Sequence, residues 1–367
     1  MRVLLFGTYD TAMHPRVATI AEGLRARGMD VAECNAPLGL DTAARVDTLA
    51  KPSRVPAFVA TVLRRWWTLA RTARRLPKPD VVLVGYLGHF DVHLARLLFR
   101  RTPIVLDHLV GASDTARDRR LAGGPRQALL AMIDRAALGA AHIVVVDTDE
   151  HLATLPDPAK AVVVPVGAPA AWFHPPGTGT GTGPLRVVFY GLYTPLQGTP
   201  VIGAALAELA DDPIEITMIG AGQDETATRA AARANSRVRW LDWVPADQLP
   251  AVVAEHDVCL GIFGTGGKAL RVVPNKVYQG AAAGCAVVTS DTPPQRRALG
   301  AAGVLVPPGD PAALAGALRR LADRAELDRL RAAAHELAGR RFSADRVVDS
   351  LVERLSVVAG ADDQVRQ

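Results

Sequence analysis

Short apolar runs alternate with longer amphipathic segments from one end of the chain to the other. This rhythm predicts parallel strands covered by helices, an α/β fold. In the first half the runs are residues 3–6, 31–34, 81–84, 104–106, 143–146 and 162–164. Most stop at Gly, Asp or Pro, where a strand hands over to a loop. Ligands of open parallel sheets bind at those carboxyl-end loops, so Gly7, Gly85, Asp107 and Asp147 mark one functional edge.

Residues 175–184 break the rhythm, since Pro175, Pro176 and the Gly/Thr alternation up to Pro184 carry no large apolar side chain. By composition this is a flexible linker, and it sets the domain boundary, with one domain over 1–174 and a second from 185 onward. The second half restarts the same grammar at 185–190, with runs at 214–219, 238–241, 258–262, 286–289 and 304–306. Helical segments dominate from Pro311. Two similar halves on a hinge-like linker bury a ligand best at their interface, so a cleft between them is expected to hold the site.

Composition narrows the classes. The chain has 367 residues, 49% hydrophobic and 22% charged, enough for two α/β domains. Its net charge of +5 comes from arginine; the lysines are Lys51, Lys78, Lys160, Lys268 and Lys276. No basic run is interleaved with aromatics, which argues against nucleic acid as a partner. Cys34, Cys259 and Cys285 sit in apolar runs without metal-ligand spacing, so they read as buried small hydrophobes in a reducing cytoplasm. Residues 1–7 are too short for a secretory core, and no apolar run reaches the ~20 residues of a membrane span. The expectation is a cytoplasmic protein, soluble or peripheral.

The most informative stretch is 260–284. A strand ends near Phe263, a glycine-rich loop follows, and Pro274 opens a helix, as proline does at a first turn. Lys268, Arg271 and Lys276 therefore gather at a helix N-terminus, which already carries free N–H donors and about half a unit of positive charge. Cations placed there repel one another unless an anion sits among them, and a diphosphate is the natural occupant. The loop 190–199 adds Gly191 and Gly198, where backbone amides can approach a ligand closely. Gly220-Ala221-Gly222 lacks the full dinucleotide fingerprint, so NAD is poorly supported. Trp243-Val244-Pro245 closes another strand and can present backbone groups to a base.

The two-domain pattern, the loop Gly191-x-x-x-Pro195-Leu196-x-Gly198 and the helix Pro274-Asn275-Lys276-x-Tyr278-x-x-x-Ala282-Ala283-Gly284 resemble family 4 retaining glycosyltransferases of the GT-B fold. The resemblance is specific over most of the C-terminal half and holds only in outline before it. It implies two Rossmann-like domains with a cleft between them, the first binding the acceptor and the second the nucleotide sugar. The last helices would pack back on the first domain. It also implies transfer of a sugar to a hydroxyl acceptor with retention, with no metal and no cofactor beyond the nucleoside diphosphate sugar. Gly191, Gln197, Gly198, Asn275 and the three cations would hold the donor, and Val244 would meet the base. Where the family carries an acidic pair that contacts the donor, this chain has Arg271 and Gln279. The Arg and Lys of the family's first C-terminal loop are replaced by Leu192 and Gln197. A physical exchange is expected, in which cations lost from one loop reappear in the other, with Gln279 hydrogen-bonding ribose. An epimerase or phosphorylase of the same fold, or a silent nucleotide-sugar-binding protein, is the alternative.

In the first half the family often places a histidine after the fourth strand, so the resemblance gives polar work at the reacting sugar to His108 or Asp107. A capping Asp and a satisfied histidine remain the bland alternative. His89 and Asp91 start a helix after another strand, with Asp91 a helix-entry residue first. His14-Pro15-Arg16 lies at the first helix. Residues 58–75 form a basic amphipathic helix with Val59, Val62, Leu63, Trp66 and Ala70 on one stripe and Arg64, Arg71, Arg74 and Arg75 elsewhere. A core helix with an arginine face is the favoured reading, and a membrane-surface helix on the cytoplasmic face the second.

Overall fold

Strands whose inner members are rich in Val, Ile and Leu and buried on both faces, with partly exposed strands at the edges, form two separate six-stranded sheets, and all pairings between the described strands are parallel. The computed structural model describes residues 1–11, 15–39, 55–109, 111–118, 124–177 and 183–365. The first sheet comprises β1 (Arg2–Gly7), β2 (Asp30–Asn35), β3 (Val81–Val84), β4 (Ile104–Asp107), β5 (Ile143–Val146) and β6 (Ala161–Val163), ordered β2-β1-β3-β4-β5-β6. The second comprises β7 (Leu185–Tyr190), β8 (Ile214–Ile219), β9 (Val238–Leu241), β10 (Val258–Leu260), β11 (Ala286–Ser290) and β12 (Gly303–Val306), ordered β12-β11-β10-β7-β8-β9. Each apolar run read from the sequence is a strand to within about two residues at either end.

The chain divides into a first unit of Met1–Pro165 with Ala344–Gln367 and a second of Val166–Ser343. The division falls ahead of the Pro/Gly/Thr stretch, of which residues 178–182 lie outside the described residues. Composition is silent at the division because Val164, Val166 and Ala168 are apolar and buried. The second unit's two ends are tied together, since the Ala168 N–H donates to the Phe342 carbonyl at 2.8 Å.

In the first unit one sheet face (Val3, Leu5, Val81, Leu83, Val105) packs on helix Arg16–Ala26 and on the last helices through Val347, Val348, Leu351 and Leu355. Helix Arg16–Ala26 meets Ala344–Val347 at Gly23, where a β-carbon would stand 2.0 Å from the Ala344 carbonyl oxygen. The other face (Leu4, Phe6, Val82, Val84, Leu106) is covered by helices Val55–Ala73, Asp91–Leu98 and Gly124–Ala140 through Leu69, Val92, Ala95 and Ala137. The second unit's main core joins β7, β8, β10 and β11 to helices Thr199–Glu208, Pro311–Arg320 and Arg324–Arg341. The three cysteines are buried and free.

Candidate functional site

The second sheet reverses its strand order between β7 and β10, and the crevice outside such a reversal is where ligands of doubly wound sheets bind. The two loops that leave those strands, 191–198 and 261–274, are the glycine-rich ones. They lie against each other with no room for side chains. At Gly198, φ is +64°, and a β-carbon would stand 2.4 Å from the Gly264 nitrogen and the Phe263 carbonyl carbon. The Phe263 N–H donates to the Gln197 carbonyl at 3.0 Å. A hydrogen-bonded set of Thr289, Ser290 and Gln295 buttresses them from behind, with the Ile262 N–H donating to Thr289 Oγ1.

Lys276 enters this crevice from the first turn of helix Asn275–Ala282, which Pro274 precedes as its cap rather than joining it. The residue is 4% exposed, its Nζ lies 4.1 Å from the Phe189 ring centroid, and it donates to Gln197 Oε1. No described carboxylate is within ion-pair distance of it. Burial pulls its ammonium down to about 7, against a weak opposite effect of Cys259. Gly191, at φ +135°, leaves the space beside Nζ open, and a β-carbon there would stand 3.1 Å from Nζ. Asn275 is half-buried at the helix start. Lys268 and Arg271 stay on the loop, half-buried, with Arg271 Nε donating to the Gly267 carbonyl at 2.9 Å.

Gln279 faces back to the sheet, where its Oε1 accepts from Tyr190 Oη at 2.9 Å, and Tyr190 stacks on Trp172 at 5.7 Å. Neither aromatic was singled out in the sequence, because their meeting depends on chain far from either. Val244 is half-buried after β9, at the sheet's edge, beside Trp243, which is 67% exposed. The glycines of 220–222 serve packing: a β-carbon at Gly220 would stand 2.0 Å from the Gly191 carbonyl oxygen.

The first unit gathers different chemistry at the ends of β3, β4 and β5. Asp107 Oδ1 accepts from Arg16 Nε at 2.8 Å, and Arg16 Nη2 donates to the Val164 carbonyl, all buried. Burial pushes the Asp107 carboxyl up, and Arg16 opposes it. His108 follows, flanked by the rings of His89 at 5.4 Å and His151 at 5.6 Å. Burial and the two neighbouring imidazoles push His108 down to about 3, so it is neutral at physiological pH. His151 Nδ1 lies 3.0 Å from Asp147 Oδ1. His89 Nε2 stands 3.1 Å from Asp134 Oδ1 without hydrogen-bond alignment. Burial raises Asp134, but His89 and the hydroxyl and N–H of Ser113 outweigh it and hold the carboxyl below its usual range. Asp91 accepts from Thr8 N–H, Thr8 Oγ1 and Trp66 Nε1, which fixes it as a structural anchor. The sequence reading missed His151, although an Asp-x-x-x-His spacing that leaves a strand for a helix carries the signal. His14 lies outside the described residues.

Residues 184–324 match the family model described as Glycosyl transferases group 1. A phosphatidyl-myo-inositol mannosyltransferase from Mycobacterium leprae is 31% identical over 185 residues, 49% of this chain and 48% of that protein. The chain thus matches about half the length of this curated relative. Among solved structures, sucrose-phosphate synthase from Thermosynechococcus elongatus superposes with a TM-score of 0.72 at 16% identity over 98% of this chain and 100% of that one. Anabaena HepE in complex with UDP-glucose does so at 0.69 and 14% identity, over 97% and 100%. A UDP-forming α,α-trehalose-phosphate synthase from Burkholderia vietnamiensis gives 0.67 and 16%, over 98% and 99%. The two doubly wound parallel sheets and these likenesses make the fold GT-B, with two Rossmann-like domains.

Proposed function

We propose that the chain is a glycosyltransferase that moves a sugar from a nucleoside diphosphate sugar to a hydroxyl acceptor. The observation that carries this reading is Lys276, a buried cation with no carboxylate partner, set where two glycine loops flank the strand reversal. A buried ammonium lacking a countercharge is costly, and a diphosphate supplies the missing charge. The open face of Gly191 and the positive end of helix Asn275–Ala282 favour the same anion. Lys268 and Arg271 extend the positive charge along the loop and can neutralise a departing diphosphate without a divalent ion. The family match spans all of these residues. The likeness to a UDP-glucose complex makes UDP the first nucleotide to try.

In this reading Gly191, Gln197, Gly198, Asn275, Lys276 and Gln279 contact the donor and Val244 borders the base. With its Oε1 held by Tyr190, Gln279 offers the ligand an N–H donor rather than an acceptor. His108 serves the acceptor hydroxyl as a neutral imidazole, while Asp107 holds Arg16 in place. Retention of anomeric configuration rests on the resemblance alone. The exchange of an acidic pair for Arg271 and Gln279 favours, as a second reading, a protein that binds nucleotide sugars without turnover. Thermal shifts with UDP, GDP and ADP, followed by assay of nucleotide release from their sugars with and without hydroxyl acceptors, separate the two. Stabilisation with acceptor-dependent release supports the transferase, and stabilisation without turnover supports the binding protein. If no nucleoside diphosphate stabilises the protein, both readings fail.

A further inference from the structure

The helical layer over Leu4, Phe6, Val82 and Val84 has two unlike sides. Its inner side is ordinary core: Phe58, Val62 and Leu69 of helix Val55–Ala73 are buried, and Trp66 turns inward to donate Nε1 to Asp91 at 2.8 Å. Its outer side carries Val59, Leu63, Trp67, Leu97, Leu129 and Met132, all between 46% and 63% exposed. These are six of the eleven large apolar side chains exposed among the described residues, and they come from the three adjacent helices Val55–Ala73, Asp91–Leu98 and Gly124–Ala140. Val59, Leu63 and Trp67 recur at four-residue spacing and so share one outward stripe.

The exposed charge on the described residues of these three helices has one sign. Arg64, Arg71, Arg74 and Arg75 are exposed on or just beyond the first helix, and Arg96 and Arg135 on the other two. The guanidinium of Arg71 lies 5.3 Å from the Trp67 ring centroid. The only carboxylates in these three helices are Asp91 and Asp134, and both are buried in hydrogen bonds to their own unit. A helix solvated for its own sake mixes acids among its bases, and a core face hides its tryptophan. A second copy of the chain would bring arginine against arginine. An anionic lipid surface complements both features, taking the apolar side chains at its interfacial depth and the guanidiniums at its phosphates.

We propose that this helical layer docks the protein on an anionic lipid surface. The core-helix reading from the sequence describes the inner stripe, and the docking face is the outer one. Docking is peripheral, since no described helix is long and apolar enough to cross a membrane. The proposal stands apart from the nucleotide site, which lies in the other unit.

The test uses the full chain with vesicles of equal parts phosphatidylglycerol and phosphatidylcholine, against pure phosphatidylcholine, in co-sedimentation at low salt. The expected result is pelleting with the anionic vesicles alone, reversed at ~0.5 M salt, where screening is within a few ångströms. Leu63→Ser with Trp67→Ser, and separately Arg71→Glu with Arg74→Glu, should each weaken binding about tenfold or more. Both pairs are exposed, so melting temperature and the response to UDP should stay as in the wild type. Brominated lipid should quench tryptophan emission, and Trp67→Phe should remove that quenching. Three outcomes overturn the proposal: no dependence on phosphatidylglycerol, pelleting that survives both double variants, or a dimer in sedimentation velocity that Leu63→Ser with Trp67→Ser dissolves while vesicles bind nothing.

Discussion

At the carboxyl ends of the first sheet, ionisable side chains answer one another: Arg16 meets Asp107, Asp147 meets His151, and Asp134 stands by His89. At those of the second, the buried cation Lys276 has an amide and an aromatic ring for company. In the first arrangement each ionisable group has an opposite partner beside it, although Arg16 Nη1, Asp107 Oδ2 and His89 Nε2 keep no hydrogen-bond partner; in the second no described carboxylate stands beside the cation. Burial shifts groups at both places, but of the groups compared only Lys276 has no described opposite charge beside it. A buried charge is thus informative about binding when its partner is missing, and informative about architecture when its partner is present.

The largest effect should come from breaking a completed pair. Asp107→Asn leaves Arg16 buried without its countercharge, and removal of one partner of a buried ion pair costs about 3–5 kcal/mol. Urea denaturation should show that loss, while the thermal response to UDP, which belongs to the other unit, survives. A variant as stable as the wild type would mean that Asp107 is not holding Arg16, and would return the carboxylate to the list of reacting groups.

Lys276→Met should do the opposite on both counts. It removes an uncompensated buried ammonium, so the ligand-free protein should gain stability at neutral pH. It also removes a charge-assisted hydrogen bond worth about 1.5–3 kcal/mol, so nucleoside diphosphate affinity should fall roughly ten- to a hundredfold. Lys268→Ala and Arg271→Ala, on the half-buried loop, should cost less. Calorimetric titration with UDP ranks the three. If Lys276→Met binds UDP like the wild type, the crevice between the loops is not the diphosphate site.

The same two places predict pH windows. Lys276 titrates near 7 when folded and at its ordinary, higher value when unfolded. The unfolded chain therefore binds more protons between those values, so stability should rise as pH climbs from about 7 to about 10. His108, held near 3 when folded, has its window lower, with stability falling as pH drops below its ordinary 6.5. Lys276→Met should flatten the upper window and leave the lower one. A bound diphosphate should restore the ammonium, so UDP binding should take up a proton near pH 8 and weaken as pH rises. Titrations in buffers of different ionisation enthalpy measure that proton, and none taken up would mean that Lys276 does not meet the phosphates.

Much of this was legible in the sequence, for physical reasons that differ by element. The strands announced themselves because a doubly buried parallel strand must be a continuous run such as 81–84 or 143–146. The glycine loops and the cation at the helix start were legible because their chemistry is local. The unit boundary was not, since residues 164–168 pass from one unit to the next with buried apolar side chains. Nor was the environment of Lys276. It depends on β7 pairing with β10, about seventy residues away in sequence, which brings Phe189 and Gln197 to its ammonium. Periodicity found the apolar stripe of helix Val55–Ala73 but merged its two sides, and only burial separates Trp66 from Trp67.

The smallest expected effect tests how finely the second crevice is set. Tyr190→Phe keeps the stack on Trp172 and deletes only the hydroxyl that donates to Gln279 Oε1. A net hydrogen bond of this kind contributes about 1 kcal/mol, so the denaturation midpoint should drop slightly with no change in slope. The larger consequence is orientation. Without the hydroxyl the Gln279 amide can rotate, and the donor contact proposed for its N–H groups would lose its fixed orientation. Affinity for the nucleotide sugar should then fall a few-fold. Tyr190→Phe with Gln279→Leu removes both partners of a buried bond, so its stability should recover most of the loss while sugar affinity stays low. If Tyr190→Phe alone leaves stability and affinity untouched, the Tyr190 hydroxyl does not set the Gln279 amide, and the exchange of carboxylate for amide at position 279 needs another physical reason.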